Sequence, residues 1–396
     1  KVYVKMKGWT DPKQNPEGTI LRILGKKGDN NVEMESIVLE RGFEVGFPAG
    51  VEKEADEIDK NKIADIASEI PKRKDFRGTL TFTIDPFDAK DFDDAISFKD
   101  LGAGKYEIGV HIADVSHYVI EGSALDKEAL KRGCSIYLVD RTIPMLPEVL
   151  SNDVCSLNPH EDKLTFSAWF VMDDKGHIHE RGFGKTIINS DHRFTYEDAQ
   201  EVLNAKSGKY FNELNTLNTV AKILQKEKFN KGAIEFEQEE IKFKLDENGK
   251  PIGVYKKERL DTHKLVEEYM LLANREVAKH IFDSISKKSK KDTGSIYRIH
   301  DLPDKDRMME LAIFVKALGY NLPTKEGKVT AHDIKALLKQ ISGTAHEALI
   351  STAVIRSMQK AVYSTKNIGH FGLAFEYYTH FTSPIRRYPD LLIQRI

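Results

Sequence analysis

The chain has 396 residues, and its 60 Lys and Arg against 62 Asp and Glu give a formal net charge of -2 at pH 7. It has no run of about 18 apolar residues, so the sequence predicts no membrane span. Its two cysteines, Cys134 and Cys155, lack CxxC spacing, which argues against a disulfide framework or a zinc knuckle and favours a cytoplasmic protein.

The first 72 residues divide into two parts. Residues 1–47 carry turn residues between strand-like runs at Val2–Met6 and 19–24, which indicates part of a small β-barrel. Residues 48–72 are rich in charge and have apolar positions near a 3.6-residue period, which indicates a linker helix region. The chain begins in a strand and ends in an apolar run without a helix stop signal, so we expect a fragment of a longer protein.

Residues 73–396 change from strand patterns to helix patterns, which favours a single large α+β domain. Period-two alternation predicts a strand at 79–84 and a hairpin over 95–112. Period-3.6 patterns predict the following helices: 123–132, 261–282, 304–318, Ala331–Ile341 and 345–364.

Between the first two of these strands lies an acidic loop with five aspartates: Asp85, Asp88, Asp91, Asp93 and Asp94. Five like charges in one short segment repel one another, so the loop is best explained by a bound divalent cation. Isolated Asp pairs in turns are usually caps or solvated groups, but a cluster of this density between two strands favours a functional metal site.

Two other ligand sites fail on spacing. A calcium-binding EF-hand loop starting at Asp91 needs glycine and glutamate where Ile96 and Gly102 stand. A phosphate-binding P-loop ending at residues 182–186 needs a glycine where His179 stands. The sequence therefore predicts no nucleoside triphosphate site.

A second chemical cluster lies near the end of the chain. Arg386 and Arg387 precede Pro389, which disfavours helix at Tyr388 and suits the start of a following helix. Guanidinium groups beside free N–H donors form a phosphate-binding corner. Carboxylates for metal together with arginine for phosphate indicate phosphoryl or phosphodiester chemistry.

The acidic loop, 85–95, and the arginine corner, 382–388, resemble the two signature segments of the ribonuclease II/ribonuclease R family. Residues 109–119 and 144–152 look like further family segments, and the turn and strand at 15–24 look closer to ribonuclease R. The resemblance implies a large RNB catalytic domain over 73–396, preceded by the remnant of a cold-shock or OB-type module. It also implies that the chain stops before the family's S1 module.

The family implies an exoribonuclease II type hydrolase that works from the 3′ end toward the 5′ end and produces 5′-phosphomonoesters. By resemblance, Asp85, Asp91, Asp93 and Asp94 are the metal-binding and catalytic aspartates, and Asp88 is the least essential. The implied cofactor is Mg²⁺, with two ions when RNA is bound, and Mn²⁺ is the alternative. Arg386 matches the arginine that contacts the scissile phosphate.

The expected partner is RNA with a free 3′ end, bound by a monomer. Tyr137 and Phe236 are similar to the two aromatic residues that clamp the terminal bases, and Arg387 is a further candidate for RNA binding. Tyr196 and Glu267 resemble residues that contact ribose, where a 2′-hydroxyl distinguishes RNA from DNA. The alternative is a catalytically inactive RNA-binding regulator, which would be expected to lack one of the catalytic residues.

Overall fold

The computed structural model describes residues 1–235, 240–247, 249–288, 294–324 and 329–396. No helix among these residues has both the length and the hydrophobicity that crossing a membrane requires. Phe236, one of the two predicted base-clamping residues, lies outside the described residues.

The N-terminal part holds the antiparallel hairpin of β1 (Val2–Met6) and β2 (Gly18–Ile23), then α1 (Asn30–Glu40) and α2 (Ala49–Glu69). The two strands and the linker helix were predicted, whereas α1 was not. Asp29 caps α1 by accepting a hydrogen bond from the Val32 backbone N–H, a start signal that the turn-rich composition of the segment concealed.

The middle of the chain builds the main sheet and its nearest helices. In chain order its elements are β3 (Lys74–Asp75), β4 (Thr81–Asp85), β5 (Asp94–Gly102), β6 (Lys105–Ala113), α3 (Val115–Tyr118), α4 (Ala124–Arg132), β7 (Ile136–Tyr137), β8 (Thr142–Ile143), β9 (Asp162–Asp173), β10 (Ile178–Asn189), β11 (His192–Thr195) and α5 (Tyr196–Ala205).

The second half is mostly helical, as predicted. Its elements are α6 (Phe211–Asn230), β12 (Glu240–Leu245), β13 (Pro251–Lys257), α7 (Asp261–Lys288), β14 (Tyr297–Ile299), α8 (Lys305–Ala317), α9 (Ala331–Ile341), α10 (Glu347–Ser357), β15 (Val362–Ser364) and α11 (Tyr388–Arg395). The helix predicted over 345–364 was wrong at its end, because its last three residues pair with β14 as a strand.

Seven strands form one mixed sheet in the order β11-β4-β5-β6-β9-β10-β3. The four inner pairs are antiparallel, and the two edge strands β11 and β3 pair in parallel. All five residues of β4 are buried, because helices cover both faces of the sheet. On one face α7 packs Leu265, Tyr269 and Leu272 against the strands.

The opposite face of the sheet contacts α2, α3, α4 and α11 through a second apolar cluster. Helices α8, α9 and α10 surround a separate cluster of their own. The loop from β4 to β5 contacts the turn before α11. These two segments carry the candidate functional residues.

Candidate active site

Asp85 and Asp94 stand at the two strand ends that flank the acidic loop. Asp85 is the last residue of β4, and Asp94 is the first residue of β5. Burial raises the pKa of each carboxyl group. The negative charge of Asp85 further raises the pKa of Asp94, and the charges of Asp93 and Asp91 further raise the pKa of Asp85. The Oδ2 atom of Asp85 is buried and has no hydrogen-bond partner among the described residues.

Asp93 differs from its neighbours because protein donors hold both of its carboxylate oxygens. The Ile385 backbone N–H donates to Oδ1 at 2.9 Å, and Arg386 Nε donates to Oδ2 at 3.1 Å. Asp93 is 3% exposed. Burial raises its pKa to about 7, although Arg386 and the Ile385 amide favour the charged form.

The two remaining aspartates differ in exposure. Asp91 is half-buried, and its burial raises its pKa against the opposing charge of Arg386. Asp88 is exposed on the outer side of the loop. This exposure agrees with the prediction that Asp88 is the least essential of the five aspartates for catalysis, which stays a prediction.

The donor set suits a divalent cation at Asp85 and Asp94. As the side chains stand, the described part of the chain holds no group of three or more His, Cys, Asp or Glu residues arranged to bind a metal ion. A bound cation would nevertheless give the Asp85 oxygen a partner and relieve the repulsion among the aspartates that raises the pKa values of Asp85 and Asp94. Carboxylate oxygen is also the ligand that Mg²⁺ prefers.

Three residues outside the loop fix its path. Arg193 on β11 donates from Nη2 to the carbonyl oxygens of Pro86, at 2.6 Å, and Phe87, at 2.9 Å. The Ser156 hydroxyl accepts from the Phe92 N–H at 3.0 Å, and the Leu157 N–H donates to the Phe92 carbonyl at 3.0 Å. The acidic loop is therefore held at both ends.

The arginine corner is a tight turn immediately before α11. The Arg387 N–H donates to the Ser383 carbonyl at 3.0 Å, and Arg386 Nη2 donates to the Ser383 hydroxyl at 2.9 Å. Arg387 Nη2 donates to Asp390 at 2.6 Å, so its guanidinium is anchored within the turn. The predicted turn ahead of the helix is confirmed. The expected start was wrong by one residue, because Tyr388 is the first residue of α11 and Pro389 the second, where its missing N–H is still tolerated.

Tyr137 lies beside the arginine corner. The Ser135 N–H donates to the Arg386 carbonyl at 2.9 Å, which brings the segment leading into β7 alongside Arg386. The Tyr137 hydroxyl lies close to the Arg386 guanidinium, while 57% of the Tyr137 residue surface remains exposed. A large exposed aromatic ring next to the Arg386 guanidinium offers a surface on which a base could stack.

Tyr196 and Glu267 line the same pocket. The Tyr196 ring stacks on His263, with 3.9 Å between ring centroids and an interplanar angle of 9°. Burial raises the pKa of Tyr196, and the nearby charges of Asp94 and Asp85 raise it further. Glu267 accepts a hydrogen bond from Arg259 and lies 3.8 Å from Lys228 Nζ.

Sequence reasoning missed Arg193, His263 and Arg259. Arg193 contacts backbone carbonyl oxygens of the acidic loop, His263 contacts the Tyr196 ring, and Arg259 contacts Glu267. None of these contacts produces a spacing pattern in the sequence. The one available signal is local to His263, which lies three residues after Leu260 and accepts the Leu260 N–H at 3.2 Å at the start of α7.

The sheet, the acidic loop and the arginine corner together define an α+β protein with a carboxylate and arginine site suited to phosphoryl chemistry. Residues 73–396 match the RNB domain family model, and residues 1–48 match the cold shock domain model. The chain therefore belongs to the RNB family, as its sequence segments predicted. The predicted fold class, an RNB domain preceded by part of a cold-shock-type module, is confirmed as well.

Several known proteins are similar to this chain. Ribonuclease R of Thermotoga maritima is 40% identical over 100% of this chain and 55% of its own length, and ribonuclease R 1 of Lactococcus lactis is 39% identical over 97% and 46%. The structure of Mycoplasma genitalium RNase R in complex with double-stranded RNA superimposes with a TM-score of 0.90 at 28% identity, covering 100% of this chain and 69% of that one. The chain spans about half the length of the curated relatives it matches.

Proposed function

We propose that this protein is a 3′-to-5′ exoribonuclease that hydrolyses single-stranded RNA processively to nucleoside 5′-monophosphates. The observation that carries the proposal is the contact between Asp93 and Arg386, which joins the acidic loop to the phosphate-binding corner. The similarity of this chain to relatives named ribonuclease R also supports the proposed activity. In the longer protein we further propose structured RNA as a substrate.

In the proposed mechanism, Asp85 and Asp94, assisted by Asp91, would hold Mg²⁺ or Mn²⁺. Asp93, which the resemblance also assigns to the metal, already accepts hydrogen bonds from protein donors at both carboxylate oxygens, so we propose that its main role is to orient Arg386. When bound, the metal neutralises charge at the reacting phosphate and lowers the pKa of water. Arg386 is oriented by Asp93 and Ser383, so that its guanidinium faces the phosphate on which negative charge develops. Water oxygen forms a new bond to phosphorus as the bond between phosphorus and the 3′-oxygen of the preceding nucleotide breaks, and that oxygen takes a proton and leaves as the new 3′-hydroxyl.

The remaining assignments concern RNA binding. Tyr137 stacks on a base near the scissile phosphate, and Arg387 adds positive charge at the corner. Tyr196 and Glu267 contact the terminal ribose, and Phe236 completes the clamp. We propose domains at 1–47, 48–72 and 73–396, and a monomer located in the cytoplasm.

The test uses 5′-labelled single-stranded RNA with a free or a blocked 3′ end. We expect stepwise shortening of the free RNA, release of nucleoside 5′-monophosphates, no degradation of the blocked RNA, and loss of activity in EDTA that Mg²⁺ restores. Internal cuts in both RNAs would instead identify an endonuclease. A catalytically inactive regulator would bind both RNAs and degrade neither, but the acidic loop and Arg386 are all retained, which disfavours it.

A further inference from the structure

A short hairpin carries Tyr137, the residue proposed to stack on a base. We call it the Tyr137 hairpin and define it by β7, β8 and the turn 138–141 between them. Its strands pair through two residues each, Ile136 with Ile143 and Tyr137 with Thr142. A two-stranded hairpin of this size is at best marginally stable by itself in water. The position of the Tyr137 ring therefore depends on what holds the two ends of the hairpin.

The base of the Tyr137 hairpin is fixed beside the arginine corner. The Ser135 N–H donates to the Arg386 carbonyl, and the Ser135 hydroxyl accepts from the Met145 N–H at 2.9 Å. Ile143 of β8 and Met145 are both buried. These contacts place the strands of the hairpin next to Arg386, whereas the turn is held by a different part of the chain.

Helix α1 of the N-terminal part holds the turn of the Tyr137 hairpin. Asn30 Nδ2 donates to Asp140 Oδ2 at 3.1 Å, and Arg141 Nη2 donates to Asn31 Oδ1 at 2.6 Å. Each of these contacts joins residues that are 110 positions apart in the chain. Because Asn30 and Asn31 are the first two residues of α1, the Asp29 cap that starts this helix also sets their position.

Three segments enclose Asp140, whose side chain is 3% exposed. Within the turn, Arg141 Nε donates to Asp140 Oδ2 at 3.1 Å, and this guanidinium lowers the pKa of the Asp140 carboxyl group. The turn of the β12–β13 hairpin packs against Asp140 as well, since a Cβ at Gly249 would lie 3.5 Å from the Asp140 Cβ. The third segment is α1, and because the carboxylate is charged, the hydrogen bond that Asn30 donates to it is of the stronger, charge-assisted kind.

We propose that Asn30 and Asn31 are positioning residues for Tyr137: they hold the turn of the Tyr137 hairpin and thereby keep the Tyr137 ring where a base can stack on it. This inference rests on the proposed function, which assigns Tyr137 to RNA binding. It gives residues 1–48, which match the cold shock domain model, an effect on the candidate active site that requires no contact of their own with RNA.

The two neighbouring asparagines allow a matched test. Asn30→Asp puts a carboxylate against Asp140, whereas Asn31→Asp puts one against Arg141. Both changes add the same charge at the same end of α1, so any general repulsion of RNA is equal in the two variants. Each change is made in the unmodified protein and in Tyr137→Ala. Fluorescence anisotropy in EDTA measures binding of a labelled single-stranded RNA, and thermal unfolding verifies that every variant is folded.

Asn30→Asp should weaken RNA binding by about fivefold, because a hydrogen bond to Asp140 is replaced by repulsion and the turn is released. This loss is smaller than the loss of about tenfold expected when the ring itself is removed. Asn31→Asp should stay within about 1.5-fold of the unmodified protein, because the new carboxylate still accepts from Arg141. In Tyr137→Ala, the further change Asn30→Asp should alter binding by less than about 1.5-fold, because no ring is left to position.

An equal loss of binding in Asn30→Asp and Asn31→Asp would overturn the inference, because it would reflect charge alone. The same fivefold loss in the Tyr137→Ala protein would also overturn it, since α1 would then affect RNA binding independently of Tyr137. RNA hydrolysis by the unmodified protein with Mg²⁺ is measured separately. If the expected binding pattern occurs but no RNA is hydrolysed, the proposed function fails and the positioning role stands, so the two failures are separable.

Discussion

Asp93 and Arg386 are separated by 293 positions in the chain, yet they share a hydrogen bond of 3.1 Å from Arg386 Nε to Asp93 Oδ2. The same carboxylate accepts the Ile385 N–H. Asp93 therefore holds the side chain of Arg386 and the backbone just before it, so that the acidic loop and the arginine corner act as one unit.

Replacing Asp93 by Asn should abolish hydrolysis while leaving RNA binding nearly intact. Asn retains the shape of Asp but lacks the charge that orients Arg386, and we expect the rate of RNA hydrolysis to fall by at least about a hundredfold. Single-turnover assays and filter binding measure the two effects. Asp88→Asn is the matched control, and its hydrolysis rate should stay within about threefold of the rate of the unmodified protein. An equal loss of rate in Asp88→Asn and Asp93→Asn would contradict the prediction that only Asp93 is essential.

Asp93 and Arg386 should show strong non-additivity. Arg386→Lys keeps a positive charge but loses the planar fork that contacts both Asp93 and Ser383, so the hydrolysis rate should again fall by about a hundredfold. Because each change disables the same unit, the double variant should be no more than about tenfold slower than either single variant. Full multiplication of the two losses would show that the residues act independently.

Tyr137→Ala should weaken RNA binding more than it slows the chemical step. The ring is exposed beside Arg386, and its loss removes one stacking surface, so KM for a short single-stranded RNA should rise by about tenfold. Steady-state assays compare it with Tyr137→Phe, which keeps the ring and should resemble the unmodified protein. Val139→Ala, a change at another exposed residue of the same segment, serves as the surface control.

His263 is expected to act as a positioning residue for Tyr196. Removing the stacked imidazole in His263→Ala frees the Tyr196 ring, so RNA hydrolysis should fall by about tenfold, and His263→Phe should restore most of it by restacking. Rescue by phenylalanine is the readout that separates stacking from acid–base chemistry. Failure of phenylalanine to rescue, in a variant with normal thermal stability, would contradict the positioning role.

A buried ionic network joins the linker helix to the sheet. Asp114 accepts from Arg73 Nη1 at 2.7 Å and lies 3.2 Å from Lys185 Nζ, and the side chains of Asp114 and Arg73 are at most 1% exposed. Arg73 also contacts Glu69 at the end of α2. Burial raises the pKa of Asp114, but the charges of Lys185 and Arg73 outweigh burial and hold it below its usual value.

Asp114→Ala should reduce the free energy of unfolding by about 3 kcal/mol at pH 7, because it removes one of the two carboxylates that compensate the buried Arg73 charge and leaves Glu69 as the other. Since the folded-state pKa of Asp114 is lowered, its contribution is complete above the unfolded pKa of about 4 and is lost as the pH falls further. Denaturant titrations at pH 7 and pH 3 should show the variant's deficit shrinking at the lower pH. Glu57→Ala, which breaks an exposed pair with Lys53, should cost less than about 0.5 kcal/mol.

Local sequence patterns predicted many of the secondary-structure elements. The period of α7, the Pro-containing start of α11 and the β5–β6 hairpin were all predicted, because each depends on residues within one or two turns or strands. The elements that were not predicted include the helices α5 and α6 as well as α1 and β15. Helix α1 lies in a turn-rich segment, and β15 continues a helical pattern but pairs with β14 from a distance of about 65 residues.

The sequence by itself determined the chemistry of the site: a dense cluster of aspartates whose repulsion calls for a cation, and an arginine turn suited to phosphate. Only the tertiary structure decided which contacts each of these groups makes. Folding pairs Asp93 with Arg386, leaves one Asp85 oxygen without a hydrogen-bond partner in the part of the chain that the structure describes, and stacks Tyr196 on His263. These differences arise from burial and from contacts between distant segments, to which the spacing of residues along the chain is insensitive.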